Sequence, residues 1–298
     1  MDEELFREYV GIEPSMTYID HAGRGGLIAW AGVEFIEQKA GSHTPIEDLN
    51  GELAGILKEL LGVRGTVELS LCWNPVSAIE SVIAGRGIVY EYGDPPPFRV
   101  EACRNSECPV FHSVVNPFTG AYKPFIDCRR GGCILDLTYT LGVREIPQVE
   151  GEFMAYAFFD KWLMTPGKTG LLLSTQGIHA PDCQEPSPLI LLYVYGVVRY
   201  LAEKGFEWVK DRILGLTYEY GWLLDKAGYT PFTPPEDEYR AGILTFPLRM
   251  SPEEAYRLAA RLEDLRVYIG FHGYKAVSLS PNIYNTVNDI DALLRLLP

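Results

Sequence analysis

No stretch of this chain is apolar for long enough to cross a bilayer. The longest apolar run, Leu189–Val198 (LILLYVYGVV), has the length of a core helix. Basic residues are scarce: 26 Lys and Arg stand against 40 Asp and Glu, for a net charge of -14. That balance argues against nucleic acid or an anionic membrane surface as the main partner, because both reward Lys and Arg. A small anionic ligand in a local pocket stays compatible with it. The opening MDEELFREYV is acidic and amphipathic, unlike a signal peptide, so a cytoplasmic location is the expectation. The chain has no internal repeat and no low-complexity segment, and no cysteine lies beyond Cys183.

What is present fits a globular protein with a full core. Of 298 residues, 47% are hydrophobic and 22% charged, enough for one large domain or two unequal ones. Four of the six cysteines form close pairs, Cys103/Cys108 and Cys128/Cys133. Ordinary reduced thiols are the first expectation. Two structural disulfides, as occur inside hyperthermophiles, are the second. A four-thiolate zinc site is a third, although its usual spacing is nearer C-x2-C.

Strands and helices alternate along the chain, which makes the fold class α/β. Helices are expected over 1–10, 27–40, 47–61, 78–84, 188–228, 252–265 and from Val287. Strands are expected from Met16 into a glycine-rich loop at Gly23–Gly26, at Thr66–Cys72, Gly87–Tyr92, Val110–Val115, Gly132–Leu137, Phe153–Phe159 and Gly170–Ser174, and again at Ala241–Phe246 and Val277–Leu279. The run GCILDL at Gly132–Leu137 is almost wholly apolar, as suits a parallel sheet covered on both faces. Its one charge, Asp136, needs a cationic or donor partner if buried, and Arg144 is a candidate. At Asn74–Ser77 a strand runs into a helix start carrying Pro75. Such a helix N-terminus suits phosphate, with Asn74 and Ser77 either adding donors or capping the helix.

One stretch bears directly on chemistry. FFDKWLMTPGKTG, Phe158–Gly170, places Lys161 after an apolar run and before a Pro-Gly turn. A lysine held there out of bulk water can lose its proton and act as a nucleophile. The plainer reading is a surface lysine lying along Trp162.

Six ordered stretches resemble the class V aminotransferases of the pyridoxal-phosphate fold-type-I superfamily, which include cysteine desulfurases, kynureninase and isopenicillin-N epimerase. They are YIDHAGRGG, NPFTGAYKP, ILDLTYTLG, FFDKWLMTPGKTGLLL, RAGILTF and SLSPNIYNTVNDIDAL. The resemblance implies a large cofactor-binding domain over 12–205, with a mainly parallel mixed sheet between helices. It implies a small α/β C-terminal domain over 206–298, joined by 1–11. It implies pyridoxal 5'-phosphate as cofactor, with Lys161 forming the Schiff base and Asp136 pairing with the pyridine nitrogen. Asn74 and Ser77 would serve the phosphate, Tyr92 the ring face and Asn116 the ring oxygen. Tyr139 and Asp160 fall at cofactor-binding positions. Ser187 falls where the neighbouring subunit's phosphate is reached in a homodimer. Arg24 and His21 fall on the substrate side.

The chain also departs from that pattern. The residue before the lysine is Asp160 where the family has His. Phe158 stands where a phosphate donor is usual. Asn74-Pro75-Val76 replaces Gly-Thr, Tyr139 replaces Gln or His, and Ser278 replaces the carboxylate-gripping arginine. The chain is also shorter than usual, between Tyr92 and Val110 and between Ser174 and Pro188. Two functions compete on this footing. One is a pyridoxal-phosphate enzyme, a transferase or lyase acting on a small amino compound. The other is a non-catalytic paralogue that serves as a binding or interaction protein.

Overall fold

The computed structural model describes residues 16–20, 46–63, 65–84, 87–90, 97, 108–165, 168–175 and 181–297. The expected helices over 1–10 and 27–40, and Tyr92, Arg24, His21 and Cys103, lie outside them.

A six-stranded sheet carries most of the chain's chemistry. Its strands are β2 (Val67–Cys72), β3 (Val89–Tyr90), β4 (Val110–Ser113), β5 (Phe125–Asp136), β6 (Gln148–Phe158) and β7 (Gly170–Thr175), in the order β2-β7-β6-β5-β4-β3. Only β7 runs against its neighbours, so β2 to β6 all end at one edge. Alternate residues of the apolar strands feed two cores. Leu135, Ala155, Ala157, Leu171 and Leu173 pack with α1 (Ile46–Leu60) and α3 (Pro188–Lys204). Ile134, Met154, Tyr156 and Leu172 pack with α2 (Pro75–Ile83) on the other face. In α1 the stripe of Leu49, Leu53, Leu57 and Leu60 is buried, each leucine contributing about 2 kcal/mol of apolar transfer.

The expected single helix over 188–228 is two, α3 and α4 (Phe206–Lys226), parted at Gly205. Past them a three-stranded antiparallel sheet forms in the order β10-β11-β8, from β8 (Leu244–Pro247), β10 (Gly270–His272) and β11 (Ala276–Leu279). It packs with α5 (Pro252–Asp264) and α6 (Asn288–Leu294) in a second core around Phe246, Leu258, Val277 and Ile290. The short β1 (Thr17–Tyr18) pairs in parallel with β9 (Val267–Tyr268).

Strand β5 is twice the expected length. The segment Cys128–Cys133 is a bulge inside it, where Gly131 and Gly132 adopt φ of 71° and 75° and the register against β6 shifts. Cys128 and Cys133 are joined across that bulge. A second disulfide, Cys72–Cys183, spans 111 residues, and Cys108 is disulfide-bonded too. The first expectation of reduced thiols is therefore wrong at these positions. A zinc site is ruled out at Cys128 and Cys133, whose thiols are used on each other.

Candidate active site

The carboxyl edge of the six-stranded sheet gathers most of the residues that the sequence singles out. Ligands of open α/β sheets bind at such edges. Asp136 closes β5, opposite Ser113 on β4 and Tyr156 on β6, all on the face that α2 covers. Its Oδ1 accepts the Thr138 backbone N–H at 2.9 Å. Thr138 stitches the two strand ends together, because its hydroxyl accepts the Phe158 N–H at 3.2 Å.

Tyr156 is wholly buried beside Asp136. Burial first, and then the Asp136 charge, push its phenol far above the usual tyrosine value. It therefore stays a protonated, neutral neighbour of the carboxylate. Arg144, the expected partner of Asp136, is used elsewhere. Its guanidinium donates to the carbonyls of Arg240 and Asp237 and lies over Tyr122. Arg240 is likewise structural, paired with Asp237 at 3.5 Å and lying over Tyr218.

Lys161 follows β6 directly. Its side chain keeps only 16% exposure, and Nζ lies 3.4 Å from Asp160 Oδ2. The loop that carries it is pinned at several points. Met164 N–H donates to the Lys161 carbonyl, Thr165 N–H to Phe159, and Phe159 N–H to Thr169. Met164 takes φ of 51°, an unfavourable value for a side-chain-bearing residue, which this bonding holds in place. Trp162 is buried, so Lys161 is not a surface amine lying along it. Trp162 Nε1 donates to the Tyr139 carbonyl at 3.1 Å, and Asn282 Nδ2 donates to the Trp162 carbonyl at 3.2 Å.

Tyr139 sits where the charges meet. Burial raises its pKa first, followed by Asp136, Asp160 and Asp20 in that order. Asp20 enters from the far end of the chain. Asn285 Nδ2 holds the nearby Tyr18 carbonyl at 3.0 Å, and Asp20 itself bridges to Ser280. Beside it, a Cβ placed on Gly270 would come within 3.0 Å of Asp20 Oδ1 and 2.3 Å of Ser278 Oγ. Asp20 and Tyr156 were not singled out from sequence. The one lies in the quoted YIDHAGRGG and the other in an apolar strand, where only the pairing register reveals its neighbour.

The remaining residues have local duties. Asn74 caps α2, its side chain accepting the Ser77 N–H at 3.5 Å, and Pro75 occupies the first turn. Both Asn74 and Ser77 follow β2 and so share the carboxyl edge. Asn116 Oδ1 accepts the Phe118 and Thr119 N–H groups of its own turn at 3.0 and 2.8 Å. Ser187 caps α3 through the Ile190 N–H at 3.4 Å.

No family model and no curated protein matches the sequence. Solved structures do. The apo structure of a cysteine desulfurase from Thermococcus onnurineus NA1 aligns with a TM-score of 0.74 at 14% identity, over 98% of this chain and 96% of that one. A C-DES mutant with glycine covalently linked to its PLP cofactor gives 0.72 at 14% identity, over 98% of each chain. A phosphoserine aminotransferase from Cytophaga hutchinsonii gives 0.67 at 9% identity, over 94% of this chain and 98% of that one. With its mainly parallel sheet, its one reversed strand and these near end-to-end alignments, the chain has the type I fold of pyridoxal-phosphate-dependent transferases, the fold that its motifs resemble.

Proposed function

We propose that the chain is a pyridoxal-phosphate-dependent enzyme, a transferase or lyase acting on a small amino compound. The observation that carries this reading is the placement of Asp136 and Lys161 at the carboxyl ends of the neighbouring strands β5 and β6. The ring end of the cofactor fits these residues. Lys161 would hold its aldehyde carbon, and Asp136 would face its ring nitrogen. Bound there, pyridoxal phosphate supplies an electron sink for carbanion chemistry.

The chain's own residues do the rest. Lys161 Nζ would be the base that takes the α-proton of the bound amine, and Asp160 Oδ2 at 3.4 Å would stabilise the resulting ammonium. Tyr139 stays protonated and offers a neutral donor. The phosphate would draw on the start of α2, with the Val76 N–H, the Ser77 hydroxyl and the helix dipole. The same reading gives Tyr92 the ring face, Asn116 the ring oxygen, and Arg24 and His21 the substrate side. It takes 12–205 as the large unit and 206–298, with 1–11, as the small one. It also makes the protein a homodimer in which Ser187 reaches the partner's phosphate. No helix among the described residues is long and apolar enough to cross a membrane.

A second reading rests on that phosphate end. Pro75 has no N–H and the Ser77 N–H is already given to Asn74, so the helix start offers few donors. A chain that kept the fold but lost the cofactor would serve as a binding protein. Purified protein titrated with pyridoxal phosphate separates the two. The enzyme reading expects a visible absorption band of lysine-bound cofactor that is lost in Lys161→Ala. No band at saturating cofactor sinks it. Equal cofactor binding by both proteins removes the covalent role of Lys161.

A further inference from the structure

Strands β5 and β6 separate just where Asp136 and Lys161 stand. Their last paired residues are Asp136 and Tyr156, and one rung follows, from the Leu137 N–H to the Tyr156 carbonyl at 2.8 Å. The next rung of a parallel ladder would run from the Phe158 N–H to the Leu137 carbonyl. That carbonyl is used in the turn after β5, where it accepts the N–H groups of Thr140 and Leu141 at 2.9 and 3.1 Å. The chain has left the sheet there, and the half-buried Phe158 N–H needs another partner.

Thr138 supplies it. Its hydroxyl oxygen accepts the Phe158 N–H at 3.2 Å and stands in for the missing strand carbonyl. Thr138 is itself buried, with 3% exposure. Its own N–H donates to Asp136 Oδ1 at 2.9 Å, which folds the carboxylate back over the turn. One residue therefore touches both the side chain that closes β5 and the backbone of β6 three positions before Lys161. On the other side of β6 the Phe159 N–H donates to the Thr169 carbonyl at 2.9 Å. Of these two amides leading into the lysine turn, one is held by backbone and one by a side chain. Only the second hold depends on which residue the sequence places there.

We propose that Thr138 is a positioning residue: its hydroxyl keeps the end of β6 in register with β5 and so fixes Lys161 relative to Asp136. The proposal rests on the reading of those two residues as the pair that meets the cofactor. Thr138→Val keeps the shape and removes the acceptor, whereas Thr138→Ser keeps the acceptor. Without the hydroxyl, the lysine turn opens more often, and a side chain with 16% exposure becomes reachable. Trace labelling of the cofactor-free chain with acetic anhydride, read lysine by lysine through peptide masses, measures this. Lys226 at the end of α4 serves as the internal reference. Lys161 is expected to label about tenfold faster in Thr138→Val, the effect of one lost hydrogen bond, with Lys226 unchanged and Thr138→Ser at the original rate. With pyridoxal phosphate added, the visible band is expected to weaken or shift in Thr138→Val and to return in Thr138→Ser.

An unchanged Lys161 rate in Thr138→Val, an equal rise in Thr138→Ser, or a rise shared by Lys226 overturns the proposal. So does a visible band that Thr138→Val leaves unaltered. Should Thr138→Val not fold, hydrogen exchange in the unaltered chain decides: the Phe158 amide is expected to exchange slowly, and rapid exchange overturns the proposal. No band from the unaltered chain would defeat the cofactor reading alone, because labelling without cofactor reports on the hold independently.

Discussion

Tyr156 and Asp136 define what can be learned from single side chains. The phenol is buried beside a carboxylate and is held neutral well past pH 10, the usual tyrosine value. The unfolded chain releases that proton near pH 10, whereas the folded chain keeps it. Stability from this pair is thus full below pH 10 and falls as pH climbs above it. Tyr156→Phe is expected to lose about 1–2 kcal/mol at neutral pH, the cost of removing one partner of a half-buried carboxylate. It should also show a shallower decline at alkaline pH. Urea unfolding at neutral and alkaline pH measures both. At this scale the sequence was legible where chemistry leaves a pattern. Lys161 and Asp136 stand in ordered motifs, and a lone charge in GCILDL demands explanation. Tyr156 leaves no such mark, because a tyrosine in an apolar strand reads the same whether or not a carboxylate faces it across the sheet.

At the scale of elements, legibility follows local pattern strength. The helices at 46–60 and 252–264 were placed to within a residue or two, the first by its leucine stripe, and the second starts in the structure at a Ser251–Glu254 capping box. Strand β5 was half missed, because CRRGGC has the look of a turn and not of a bulge. Strands β9 and β10 were missed as well, since two or three residues carry too little periodicity to be seen. Strand β10 nevertheless shapes the site through Gly270. Gly270→Ala would put a methyl group against the buried Ser278 hydroxyl and Asp20. We expect it to cost about 1–3 kcal/mol, as overpacking does. Thermal unfolding measures it, and a variant of unchanged stability would show that Ser278 and Asp20 give way freely.

For the whole molecule, the feature least visible beforehand is the bond between Cys72 and Cys183. Pairing across 111 residues depends on where β2 ends and where the segment before α3 passes. The Trp73 N–H donating to the Gln184 carbonyl at 2.7 Å marks the same crossing. No local spacing announces such a pair, whereas the sequence separation of 5 between Cys128 and Cys133 drew notice at once. In the chain-entropy account a closed loop of about 100 residues contributes roughly 4–5 kcal/mol, and a loop of a few residues much less. The double variant Cys72→Ser/Cys183→Ser should therefore unfold at clearly lower denaturant than Cys128→Ser/Cys133→Ser. Equal losses would mean that loop closure is not the source.

The same bond turns part of the chain into a covalent ring. Strands β3 to β7, and with them Asp136 and Lys161, lie on the stretch between its two cysteines. A protease that cuts once within that stretch opens the ring without dividing the molecule. The two pieces would travel as one band on a gel run without reductant and part only when reductant is added. A nicked molecule of this kind would still carry both halves of the site on one covalent frame.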